Sequence, residues 1–221
     1  MKATDDTIKV WDPIVRIGHW TLVIAFFTAY FTEDDFLSQH VWAGYVVGAV
    51  VAIRLIWGLV GSKYARFSNF VRSPAVTLRY IAGIMTNRAE RFVGHNPAGG
   101  AMVVALLICI VGTVTSGLVL YAIQEDAGPL AGWVTDNPGK SNLPALISTA
   151  YADDDEHADD EREEFWEEAH EIFANLALIL VAFHIAGVLF SSFVHKENLI
   201  KAMITGRKYL EAGETRSSNE N

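Results

Sequence analysis

The chain has 221 residues, 51% of them apolar and 19% charged, with a formal charge of −9 and a positive mean hydropathy. An apolar majority beside so large a net charge requires long apolar blocks kept apart from compact charged ones, the pattern of a membrane protein. The single cysteine, Cys109, sits in an apolar run; a disulfide framework, a cysteine-ligated iron–sulfur cluster and covalent c-type haem attachment are thereby excluded.

The opening residues lack a basic region followed by an apolar core and cleavage site, so no removable signal peptide is expected. A bilayer core about 30 Å thick needs about 20 apolar residues as helix. Four stretches meet this, at about 14–31, 40–60, 101–122 and 165–194. Pro13 precedes the first, and Asp34-Asp35 and Gly99-Gly100 mark sharp boundaries. Ser73-Pro74 reads as the N-cap and first residue of a short interfacial helix running to Met85. Gly94 to Gly100 is turn chemistry leading into the third span. Residues 153–164 are almost all acidic, and 124–164 reads as an acidic, partly flexible external loop. The segment 8–209 is then the membrane domain, followed by a polar tail at 210–221. The predicted fold is an all-α integral membrane four-helix bundle.

Basic residues in the short connections set the orientation. Lys63, Arg66, Arg72, Arg79, Arg88 and Arg91 follow the second span, against Glu90 alone. Lys196, Lys201, Arg207, Lys208 and Arg216 follow the fourth. The first connection carries Glu33, Asp34 and Asp35. The third carries twelve acids between Gln124 and Phe165, against Lys140 and Arg162. Both termini and the middle loop are therefore expected on the cytoplasmic side and the acidic loops outside.

Of seven histidines, four lie at informative depths: His19, His40, His170 and His184. An ionisable side chain inside a bilayer is costly and marks function by default. His19 lies near the inner end of the first span and His40 at the outer end of the second. His170 lies near the outer end of the fourth, and His184 is 14 residues deeper, about 21 Å along a helix and nearly four full turns. Depth therefore sorts them into an outer pair, His40 with His170, and an inner pair, His19 with His184. Each pair joins the fourth span to a different helix, as needed to hold two haems by two imidazoles each. A zinc or other transition-metal transport site would want carboxylates or further histidines at one depth, and the spans offer none. Gly44 and Gly48 repeat at four-residue spacing after His40; they leave room for a flat macrocycle or serve close helix packing. Arg16, one turn from His19, and Arg54, at the depth of His184, are candidates to pair with haem carboxylates, or they snorkel to the surface. Trp11, Trp20, Trp42, Trp57 and Trp166 cluster near span ends as an aromatic belt. His95, His157 and His195 fall in loops, His195 alone being placed to substitute as a ligand.

Val10-Trp11-Asp12, Val15-Arg16, His19-Trp20, the block His40 to Tyr45, and Arg54-Leu55 with Trp57-Gly58 together form a specific set. With Gly94-His95-Asn96-Pro97, the His170–His184 spacing and the tail Glu197 to Lys208, the chain resembles bacterial membrane cytochromes b of the cytochrome b561 group. That group includes the b-type subunit of nickel–iron hydrogenases. The likeness covers about 8–125 and 164–209. It implies two non-covalent haems b held by His19, His40, His170 and His184 in a bacterial inner membrane. The acidic stretch from about Gln124 to Glu164 departs from it.

The expected role is electron transfer between the quinone pool and an external redox protein, a c-type cytochrome being one candidate. The acidic loop would steer a basic partner, or serves solubility and topology. Oxidation of a small external donor such as superoxide is the enzymatic alternative, against which the acidic loop argues. A membrane anchor for a hydrogenase or dehydrogenase is the third, with catalysis in the partner subunit. Lipid surrounds the spans, and no nucleic-acid partner is expected.

Overall fold

The computed structural model describes residues 7–33, 35–85, 94–134, 145–194 and 197–209. Asp34, Arg88, Glu90, Arg91, Lys140, His195, Lys196, the side chain of His157 and the tail 210–221, which includes Arg216, lie outside the described residues. In chain order the elements are β1 (Thr7–Lys9), α1 (Pro13–Phe31), α2 (Leu37–Val60), α3 (Phe67–Phe70), α4 (Pro74–Met85), α5 (Pro97–Glu125), α6 (Ala131–Val134), α7 (Ala145–Val194), α8 (Leu199–Thr205) and β2 (Arg207–Tyr209). Four helical stretches are long and apolar enough to cross a membrane: α1, α2, α5 and, within α7, Asp160–Val194. The protein is an all-α integral membrane protein. Ile17, Ile24, Phe31, Trp42, Leu59 and Phe193 are exposed, whereas Ala25, Ala43, Val47 and Val51 are shielded. Lipid solvates bulky apolar side chains as well as a core would, so small residues take the places where helices meet.

The chain forms two compact units. One comprises Met1–Leu107 with Ile179–Asn221, and the other Ile108–Leu178. In the first, α1 and α2 pack together. Asp12 starts α1 as its N-cap, accepting from the Val15 N–H at 3.0 Å with Pro13 in the first turn, a pairing suited to unfilled N–H groups and a fixed φ. Its second carboxylate oxygen accepts from Trp57 Nε1 at 3.0 Å and from the Ser62 hydroxyl, which ties the start of α1 to the end of α2. Burial alone would raise the Asp12 pKa; bonds from Ser62, Trp57 and the Val15 and Ile14 amides outweigh it and hold the carboxyl below its usual value.

A feature absent from the sequence reading closes this unit. β1 and β2 pair antiparallel, Ile8 opposite Lys208, and Val10 and Trp11 continue the contact by donating to the Gly206 carbonyl at 2.9 and 3.2 Å. Gly206 caps α8 in the left-handed region (φ +80), and a Cβ there would stand 2.7 Å from the Trp11 carbonyl oxygen, so this position requires glycine. Val10, Trp11 and Ala202 form a small core, with Ile8, Tyr64 and Met203 packed against it. Lys208 and Glu197 pair at 3.1 Å beside it, both largely shielded. Because β1 precedes α1 and β2 follows α7, this pairing brings the two ends of the membrane segment to one side.

Two boundaries differ from the expectation. α5 begins at Pro97 rather than near Ala101, with Gly99-Gly100 inside it. Asn96 supplies the cap, its side chain accepting from the Gly99 N–H at 2.7 Å. Gly100 is demanded by proximity: a Cβ would lie 2.6 Å from the Phe70 carbonyl oxygen. The stretch expected as an external loop is helical from Ala145, continuous with the fourth span. Adding residues to an existing helix needs no new nucleus, and its Ala- and Glu-containing sequence favours extension. α4 runs over Pro74–Met85 as predicted. In the second unit, Gly112 lets Phe173 approach, a Cβ there meeting its ring at 2.6 Å, and Gln124 donates to Glu163 at 3.0 Å.

Candidate functional site

His19 on α1 and His184 on α7 face each other, their ring centroids 6.4 Å apart and tilted by 54°. Two imidazoles bound to opposite sides of one iron place their centroids about 6.3 Å apart, from metal–nitrogen bonds of about 2 Å and about 1.15 Å from each nitrogen to its ring centre. The observed spacing fits that ligation. Trp20 stands edge-on to His19 at 5.3 Å. His19 Nδ1, Arg16 Nε and Arg54 Nη1 are buried without a hydrogen-bond partner. Each such group costs about 1–3 kcal/mol unless something fills it; for guanidinium nitrogens the matching partner is a carboxylate. The Arg16 guanidinium also donates to the Ile204 carbonyl, and that of Arg54 lies over Phe67, 4.9 Å from its centroid. A Cβ at Gly44 would meet nothing within 4 Å, so there is open space beside α2. Gly48 is partly buried on the same helix.

His40 and His170 belong to different units, and each is keyed by its own surroundings. His40 Nδ1 lies 2.9 Å from the Ala29 carbonyl oxygen. A carbonyl can only accept, so the proton is on Nδ1 and the lone pair on Nε2. His170 Nδ1 lies 2.9 Å from the Thr113 carbonyl oxygen and 3.2 Å from Ser116 Oγ, which selects the same tautomer. Metal-ligating histidines characteristically donate their second N–H in this way. Gly117 is part of the same arrangement, since a Cβ there would sit 2.8 Å from His170 Cε1.

The sequence reading missed Ala29, Thr113, Ser116 and Gly117. A run of Thr113, Thr115, Ser116 and Gly117 inside an apolar span was the available signal. His95 was also passed over as a loop residue. It lies between Trp11 and Phe70, at 4.5 and 4.4 Å between ring centroids, and its Nδ1 is buried without a hydrogen-bond partner. Burial first, then the charges of Arg54 and Lys208 and the proximity of His184, depress its pKa to about 3, so it is a neutral ring.

Among the described residues, no three or more His, Cys, Asp or Glu side chains gather into a metal-ion site. An imidazole pair at this spacing between apolar helices fits instead the chemistry of a membrane cytochrome, whose macrocycle would supply the remaining ligands to iron. The family comparison agrees: the model described as prokaryotic cytochrome b561 matches residues 10–206, and the chain belongs to that family. It is a bacterial membrane protein that binds b-type haem and serves electron transfer. No curated protein and no solved structure matches the chain.

Proposed function

We propose that the chain holds two haems b, an inner one between His19 and His184 and an outer one between His40 and His170, and moves electrons across the bacterial inner membrane between the quinone pool and an external redox protein. The observation that carries this reading is the 6.4 Å between the His19 and His184 rings. When bound, haem b supplies a one-electron ferric–ferrous couple. The chain's own residues set its surroundings. Two histidines per haem would leave no position open for oxygen and would favour electron transfer. The carbonyls of Ala29 and Thr113 fix the tautomers of His40 and His170 so that Nε2 is the ligating nitrogen. Arg16 and Arg54, with buried unpartnered nitrogens, are suited to the carboxylates of the inner haem, and Gly44, with Gly48 one turn on, to a flat ring against α2.

The pairing of β1 with β2 supports an even number of crossings, and the basic connections support a cytoplasmic location for both ends. The acidic connection then faces the periplasm, where its charge attracts a basic partner such as a c-type cytochrome, with an association rate that falls as salt rises. The test is haem content of the purified protein and of four single variants. About two haems per chain with a six-coordinate low-spin spectrum are expected. His19→Ala and His184→Ala should lose one and the same haem, and His40→Ala and His170→Ala the other. One haem in the parent protein, or different haems lost from His19→Ala and His184→Ala, refutes the pairing.

A further inference from the structure

Among the described residues Ser116 is the most deeply buried polar side chain: a hydroxyl residue in the middle of α5, only 1% exposed. Serine in a membrane helix ordinarily satisfies itself by donating to the carbonyl one turn back, and Ser116 does so, reaching the Gly112 carbonyl oxygen at 2.8 Å. That bond uses its only proton. The remaining lone pairs face His170, whose Nδ1 lies 3.2 Å away. Since His170 Nδ1 also meets the Thr113 carbonyl oxygen at 2.9 Å, its N–H is shared between two acceptors on one turn of α5. Gly117, the next residue, leaves the space into which the ring fits.

We propose that Ser116 is a positioning residue that fixes the rotation of the His170 imidazole and strengthens it as an electron donor to iron. This rests on the reading of His170 as a haem ligand. A second acceptor on Nδ1–H draws the proton outward and leaves more charge on Nε2, which stabilises ferric over ferrous iron. Loss of the Ser116 hydroxyl should therefore raise the midpoint potential of one haem and leave the other unchanged. Taking a share of the roughly 1 kcal/mol typical of a neutral hydrogen bond, the reduced-to-oxidised ratio at fixed potential should rise roughly threefold.

The experiment is a redox titration of haem absorbance in the full-length holoprotein, with low-spin ferric EPR as a readout of ring orientation. Ser116→Ala and the near-isosteric Ser116→Cys, a poor acceptor, should both retain the parent haem content, with one potential raised and one g-tensor altered. Ser116→Thr restores the hydroxyl and should return the potential toward the parent value. His170→Ala separates the two levels of the argument. If it loses a haem while Ser116→Ala and Ser116→Cys titrate like the parent, the positioning role is wrong and the ligand assignment stands. If His170→Ala keeps every haem of the parent, the ligand assignment fails and the role of Ser116 falls with it.

Discussion

Gly117→Ala adds a single methyl group where the ring of His170 already stands. Its Cβ would lie 2.8 Å from Cε1, 3.0 Å from Nδ1 and 3.7 Å from Nε2, whereas ordinary contact begins at 3.4 Å. The ring must retreat by about 0.6 Å, or α5 and α7 must part by as much, and a metal–ligand bond tolerates about 0.2 Å. The same retreat stretches the 2.9 Å bond from Nδ1 to the Thr113 carbonyl oxygen, which costs about 1 kcal/mol. Disturbing such an orienting contact typically weakens metal affinity about 10- to 100-fold. Helix propensity acts the other way, favouring alanine by about 1 kcal/mol, so poorer helix formation is no explanation for a defect. The assay is haem-to-protein ratio with the absorption spectrum: Gly117→Ala should hold about one haem fewer or show a high-spin component. Gly132→Ala, whose added Cβ meets nothing within 4 Å, is the control and should match the parent. A Gly117→Ala protein with the parent's haem content, spectrum and potentials refutes the reasoning.

His95 should make the fold acid-sensitive. Free in the unfolded chain it titrates near 6.5, while the folded site refuses the proton until about pH 3; stability is complete above 6.5 and falls by about 1.4 kcal/mol per unit as pH drops through that window. His95→Phe keeps a ring between Trp11 and Phe70 and should flatten the dependence of the unfolding temperature on pH between 6.5 and 4; an unchanged slope rules this out. Asp12→Ala removes an N-cap, about 1 kcal/mol, and strands the Trp57 indole N–H, about 1 kcal/mol more. Denaturation in detergent should show a total loss of about 2 kcal/mol, less for Asp12→Asn, which keeps an acceptor; equal losses from both would count against the cap.

The membrane spans were legible because lipid imposes a length and a polarity that four stretches meet and others do not. The correspondence of His19 with His184 was legible because depth along a span can be counted in residues at about 1.5 Å each, and their rings lie 6.4 Å apart. What escaped has a common cause: it depends on partners distant in sequence or on backbone groups. The carbonyls of Ala29 and Thr113 carry no sequence signature. Gly112 and Gly117 announce close approach only once Phe173 and His170 are known to lie opposite them. Arg16 was read for its charge, while the fold also uses it to hold the Ile204 carbonyl. The acidic stretch misled because charge runs usually solvate as loops, whereas here a preformed apolar helix propagates into it. His95 looked like turn punctuation; its burial depends on Trp11 and Phe70 arriving from two other segments.

The pairing of β1 with β2 imposes an order on assembly. Thr7–Trp11 is made before the four spans and Gly206–Tyr209 after them, so the earlier strand waits unpaired while every span is threaded. Arg16 waits likewise for the Ile204 carbonyl, 188 residues downstream. The end of α1 that carries His19 is therefore latched only after α7 has been made, and a chain without the segment beyond α7 lacks the clasp that holds this end shut.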